Sequence, residues 1–198
     1  FFAIHAMNWI GDGRLPLPIV LIPLVGGIFG AICGVVFGYV TTKKAGVPFA
    51  MITLGIGEMV HAGALMFPDF FGGEAGISSD RVVGPSFFGF SFGPAIQVYY
   101  LIAAWCLISM IAMYAFAQTP LGRISNAVRD NPERAEFIGY NTQWVRFLVL
   151  VVSSFFAGIS GGLAAINFEI VNAEQVSMIP SGAVLLATFI GGAMFFFG

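Results

Sequence analysis

Charge is what this chain has least of. Asp, Glu, Lys and Arg together make up 9% of its 198 residues, against roughly 25% in an average soluble domain. So few charges could not cover a water-soluble body of this length, which excludes a soluble globular class. The net charge of −2 provides no basic field to hold a nucleic acid. Cysteine is nearly absent too. Cys33 and Cys106 both lie inside apolar runs, where a small buried thiol is the plainer reading than a disulfide or a metal pair. The sequence holds no Gly-x-x-x-x-Gly-Lys phosphate loop and no His, Cys or carboxylate cluster at metal-ligand spacing, so it offers neither catalytic residues nor a metal site.

What the chain has is apolar length: 58% of it is hydrophobic. Residues 17–40 run for 24 positions without a charge, enough to cross a bilayer core of roughly 30 Å. Further spans are expected over residues 48–67, 98–118 and 147–168, and a fifth from Ser181 onward. The predicted class is an all-α, polytopic integral membrane protein with about five transmembrane helices in a single domain, residues 1–198. Residues 1–16 read as the end of an earlier span. With Phe1 first, no basic segment before an apolar run, and GGAMFFFG last, the chain is expected to be an internal piece of a longer membrane protein.

Polar features stand out against this background. Residues 119–146 carry Arg123, Arg129, Arg134 and Arg146, half of the eight Lys and Arg residues. Two short helices are expected there. Thr119-Pro120 supplies an N-cap hydroxyl and a proline at the first helical position, and Asn131-Pro132-Glu133 repeats the device. Gly139 supplies a left-handed stop. A two-turn helix is too short to stand alone in water, so it needs a surface to lie on. Lys43, Lys44 and the four arginines alternate with segments whose only basic residues are Arg14 and Arg81. The positive-inside rule therefore assigns residues 119–146 to the cytoplasm, and residues 69–97, a Gly- and Phe-rich cap loop, to the outside with the acidic loop 169–180.

Within the spans, Gly26, Gly30, Gly34 and Gly38 form a stripe at four-residue spacing, as do Ala157, Gly161 and Ala165. Such faces serve close helix packing, or a thin wall beside a pathway. Glu58 sits near the middle of its span with His61 one turn on. An ionisable group at that depth is either on a pathway, as a proton relay or substrate contact, or a hydrogen-bonded carboxyl locking two helices together.

Four stretches taken together resemble a known family, the M-type permease subunits of branched-chain amino-acid and amide ABC importers. PFAMITLGIGE is similar to the family's Phe-Ala-x-x-Thr-Leu-x-x-x-Glu span, with Thr53 and Glu58 in place. GGEAGIS resembles its outer Gly-Gly-x-x-Gly turn, although Phe71 stands where the family usually has Thr. LGRISNAVRDNPERAEFIGYN resembles its cytoplasmic Gly-Arg, Ala-x-Arg and Ala-x-x-x-Gly pattern, placing Gly122, Arg123, Ala127, Arg129, Ala135 and Gly139. AGISGGL with Gly191-Gly192 resembles its late glycine-rich spans. The resemblance implies that residues 131–139, including Asn131, Pro132 and Glu133, are a coupling helix seated on a cytoplasmic P-loop ATPase subunit, with Arg129 anchoring the loop and Gly139 permitting its exit. It further implies a second, related permease subunit, an extracytoplasmic solute-binding protein, ATP and Mg held by the ATPase and not by this chain, and a bacterial or archaeal inner membrane. The solute would be a branched-chain amino acid or a related small polar molecule such as an amide or urea. Two other readings follow from the residues alone: a proton-coupled secondary transporter using Glu58 and His61, and a membrane subunit without transport.

Overall fold

The computed structural model describes residues 1–14, 17–82 and 92–192. Hydrophobic length dictates most of it. Four helices are long and apolar enough to cross a membrane: Ile19–Thr41, Val47–Met66, Ala95–Gln118 and Thr142–Phe168. In chain order the elements are α1 (Phe2–Gly11), α2 (Ile22–Thr41, entered through a 3-10 turn at Ile19–Leu21), α3 (Val47–Met66) and α4 (Pro68–Phe71). They continue with β1 (Ile77–Ser78), α5 (Ala95–Gln118), α6 (Pro120–Asp130), α7 (Pro132–Phe137), α8 (Thr142–Phe168) and β2 (Ile170–Val171), and after a 3-10 turn at Ala173–Val176 comes α9 (Met178–Gly191). The chain is thus a multi-pass, all-α membrane protein. The expected fifth span corresponds to α9, a shorter apolar helix, and its last residues, 193–198, lie outside the described part, as do residues 83–91 of the expected cap loop.

The spine of the molecule is the pairing of α2 with α8. Their backbones touch through small residues: a Cβ added at Gly26 would lie 2.5 Å from the Gly158 carbonyl oxygen, and one at Gly30 would lie 2.5 Å from that of Ser154. Gly34 faces the Ser154 side chain, Gly38 faces Leu150 and Phe147, and Gly162 faces Pro23. Where no side chain intervenes, the two helices gain dispersion contact along their whole shared length, which is how helices associate in lipid. The α8 residues that meet the stripe are Ser154, Gly158 and Gly162. Ala157 and Gly161, on the neighbouring ridge, are exposed, and Ala165 is buried in the apolar cluster at one end.

That end is closed by α1 and the two short strands. Ile4, Met7, Ile22, Val98, Ile166 and Val171 share one apolar cluster. β1 and β2 pair antiparallel, with Ile77 opposite Val171 and Ser78 opposite Ile170. Glu169 terminates α8 in a left-handed conformation (φ +57°), uncommon for a residue with a Cβ. Its carboxylate holds it there by accepting from the Arg81 backbone N–H at 3.2 Å and pairing with the Arg81 guanidinium at 3.5 Å. We call this the strand end. The opposite, basic end gathers Lys43, Lys44, α6, α7 and the start of α8. There the Lys43 ammonium lies 4.6 Å from the Tyr39 ring centroid.

Candidate functional site

At the basic end, α6 and α7 form because each begins with a working cap. The Thr119 hydroxyl accepts from the Gly122 N–H at 3.3 Å, and the Asn131 side-chain carbonyl accepts from the Arg134 N–H at 3.0 Å. Pro120 and Pro132 sit in the first turns, where no N–H is required, and Glu133 lies beside the positive end of the α7 dipole. Gly139 takes φ +96°, which a residue with a Cβ rarely adopts. Gly122 is buried, and a Cβ there would meet the Ala117 carbonyl oxygen at 2.6 Å. Arg123 and Ala127 are exposed, and the exposed Arg129 pairs with neighbouring Asp130 at 3.1 Å.

One residue roots α7. Ala135 is 4% exposed and packs in a cluster with Val128 of α6 and Val145 of α8. The large apolar side chains at its end stand away from the body: Phe137 is 91% exposed and Ile138, which follows the helix, 70%. A polar chain runs beside the apolar root. The Thr142 hydroxyl donates to Glu136 Oε1 at 2.6 Å and accepts from Arg146 Nη2 at 2.9 Å.

Two clefts follow α8 away from this end. The first, about 500 Å³, is lined by Gly46, Phe49, Ser125, Arg129, Arg146 and Ala157, among others. The second, about 630 Å³, lies between α2, α3, α8 and the turn before α9, and includes Gly30, Thr53, Gly57, Ser154, Gln175 and Ser181. Leu150, Ser154 and Ala157 belong to both, so the two adjoin along α8. A further recess of about 310 Å³, with Asn172, Glu174 and Gln175, adjoins the second at the strand end. Together they trace a corridor that follows α8 from Val145 to Gly158 and then the turn before α9, with arginines at its basic end and Glu174 at the other.

The spans' polar residues take different positions relative to this corridor. Thr53 lines the second cleft and its hydroxyl donates to the Phe49 carbonyl at 2.8 Å, within its own helix. Glu58 is exposed and is not among that cleft's lining residues. His61 Nδ1 donates to the Ala173 carbonyl at 3.0 Å, pinning α3 to the turn before α9. Among the described residues no hydrogen bond joins Glu58 to His61. Sequence reasoning missed the Glu136, Thr142 and Arg146 chain and the part played by Ser154 and Gln175. Only the four-residue spacing of Thr142 and Arg146 could have been seen, because Glu136 reaches Thr142 across a turn with no periodicity.

Comparison with known proteins assigns the family. The high-affinity branched-chain amino acid transport system permease protein LivM of Escherichia coli K12 is 25% identical over 189 residues, and that of Salmonella typhimurium LT2 is 27% identical over 189 residues. Each alignment covers 85% of this chain and 44% of the relative, so the chain spans about half the length of the curated relatives it matches. No solved structure matches it significantly. Residues 2–198, nearly the whole chain, match one family. The chain belongs to the family described as the permease component of the branched-chain amino acid transport system.

Proposed function

We propose that this chain is the membrane-spanning permease part of an ATP-driven importer for branched-chain amino acids or related small polar solutes such as amides and urea. The observation that carries the reading is α7. It is a six-residue helix capped by Asn131, rooted through Ala135, and presenting Phe137 and Ile138 outward at the most basic end of the molecule. A membrane protein gains nothing by holding two large apolar side chains in water, so these residues await a partner. A cytoplasmic P-loop ATPase, which binds the ATP and Mg, fits that role, with residues 131–139 as the coupling helix. Arg123 and Arg129 flank the seat, and Gly139 sets the exit of the chain from it.

In this reading a second, related permease subunit completes the pathway, and an extracytoplasmic solute-binding protein docks at the strand end, on the loops around β1 and β2. The membrane is a bacterial or archaeal inner membrane. Closure of the ATPase moves α7, and the packed spans respond as rigid bodies that open the corridor to alternate sides. The proton-coupled reading gains no support from the geometry, since Glu58 and His61 are not linked and His61 is engaged with a backbone carbonyl.

The test is purification of the full-length gene product from its own membranes beside Phe137→Asp. A P-loop ATPase is expected with the unsubstituted protein and is expected to drop by about tenfold or more with the variant, as for a buried aromatic anchor. Because Phe137 touches almost nothing in the chain, the variant should reach the membrane at normal levels. Absence of any ATPase beside the unsubstituted protein would overturn the proposal.

A further inference from the structure

The polar chain at the foot of α8 has no structural need to exist. A buried hydroxyl that only filled space could be replaced by a methyl at little loss, since Ala135 already gives α7 an apolar anchor. Thr142 is 3% exposed, and its single proton and one of its lone pairs are both used: it donates to Glu136 at 2.6 Å and accepts from Arg146 at 2.9 Å. Glu136 belongs to the last turn of α7, and Thr142 and Arg146 to the first two turns of α8. Arg146 lines the cleft at the basic end of the corridor. The carboxylate, hydroxyl and guanidinium therefore form one line from α7 to the cleft wall, with a charge at each end of a short, directional pair of hydrogen bonds.

We propose that Thr142 is a positioning residue that makes α7 and the start of α8 move as one body, so that displacement of α7 is delivered to α8 directly and not only by way of α6. This inference rests on the coupling role of α7 proposed above. Apolar packing around the one small side chain of Ala135 is a pivot about which α7 can rotate. A second attachment on the same helix, on the side that faces α8, removes that freedom. Because α8 is the helix that packs on α2 through Ser154 and Gly158 and lines both adjoining clefts, it is the element whose tilt changes the corridor. Glu136 and Arg146 act through Thr142, whose hydroxyl is hydrogen-bonded to both.

The experiment uses the full-length complex in proteoliposomes and reads two quantities, solute taken up and ATP hydrolysed, for Thr142→Val, Thr142→Ser, Glu136→Ala and the Thr142→Val/Glu136→Ala pair. Thr142→Val should keep the ATPase bound and hydrolysing while uptake per ATP falls by about tenfold, the scale of a lost hydrogen bond to a charged group. Thr142→Ser, which keeps the hydroxyl, should stay within about twofold of the unsubstituted protein. Glu136 is exposed, so Glu136→Ala leaves the fold intact even if Thr142→Val does not. The double variant should be no worse than the more severe single one, as expected of two residues in one connection. Unchanged uptake per ATP in Glu136→Ala, or losses that multiply in the double variant, would overturn the proposal. Loss of the ATPase from the unsubstituted complex would instead refute the coupling role of α7, and the two failures are read by different measurements.

Discussion

Gly30 owes its identity to the Ser154 carbonyl of the neighbouring helix. A Cβ at position 30 would lie 2.5 Å from that oxygen and 3.0 Å from the Gly158 Cα, and backbone atoms cannot swing aside as a side-chain end can. Gly30→Val must therefore push α2 off α8, an overpacking cost of about 1–3 kcal/mol. Gly161 belongs to the other small-residue ridge of α8, and a Cβ there meets nothing within 4 Å. Gly161→Ala should be neutral or stabilising by up to about 1 kcal/mol through helix propensity. Thermal aggregation of the detergent-solubilised protein separates the two, at about 2–4 °C per kcal/mol for a chain of this size. Equal midpoints for both variants would mean that α2 and α8 do not pack through Ser154 and Gly158. The sequence could not choose between the ridges, because Ser154, Gly158 and Gly162 are as small and as evenly spaced as Ala157, Gly161 and Ala165. What chooses is the neighbour, and α2 is more than a hundred residues away in the chain.

At the scale of the element, local grammar was readable wherever it was local. Each apolar run became a helix near its expected bounds, and Thr119 and Asn131 cap the helices that follow them, because caps and proline act within one turn. β1 and β2 were not readable: two residues each is too short for alternation to register, and their pairing joins residues 77–78 to 170–171. The same locality yields a test of α7. Six residues gain almost nothing from propagation, so the cap is a large share of what holds the helix. Asn131→Ala should cost about 1 kcal/mol. Hydrogen exchange at the Arg134 to Ile138 amides should then quicken by about fivefold, that free energy expressed as a local opening. The amides of α8 beyond Arg146 should not change. Equal acceleration along α8 would mean that α7 is no separate unit but the frayed beginning of the long helix.

For the whole molecule, the sharpest asymmetry is between its two ends. The basic end holds six of the eight Lys and Arg residues, Lys43, Lys44, Arg123, Arg129, Arg134 and Arg146. The strand end has Arg81 tied to Glu169, and Glu174 lines the terminal recess. Charge in short loops sets orientation during insertion, and on that ground we propose that the basic end lies inside the cell and the paired strands β1 and β2 outside. A single cysteine at exposed Glu174, in a background with Cys33 and Cys106 replaced by alanine, should react with a membrane-impermeant maleimide added to intact cells. A single cysteine at exposed Arg134 should react only after the membrane is opened. The opposite pattern would invert the protein, leave Phe137 and Ile138 facing away from any ATPase, and remove the coupling role of α7. It would also strand the Glu136, Thr142 and Arg146 line on a side where no ATP-driven movement arises. The sidedness measurement thus bears on every proposal about the basic end at once, because each needs α7 to face the compartment that holds ATP.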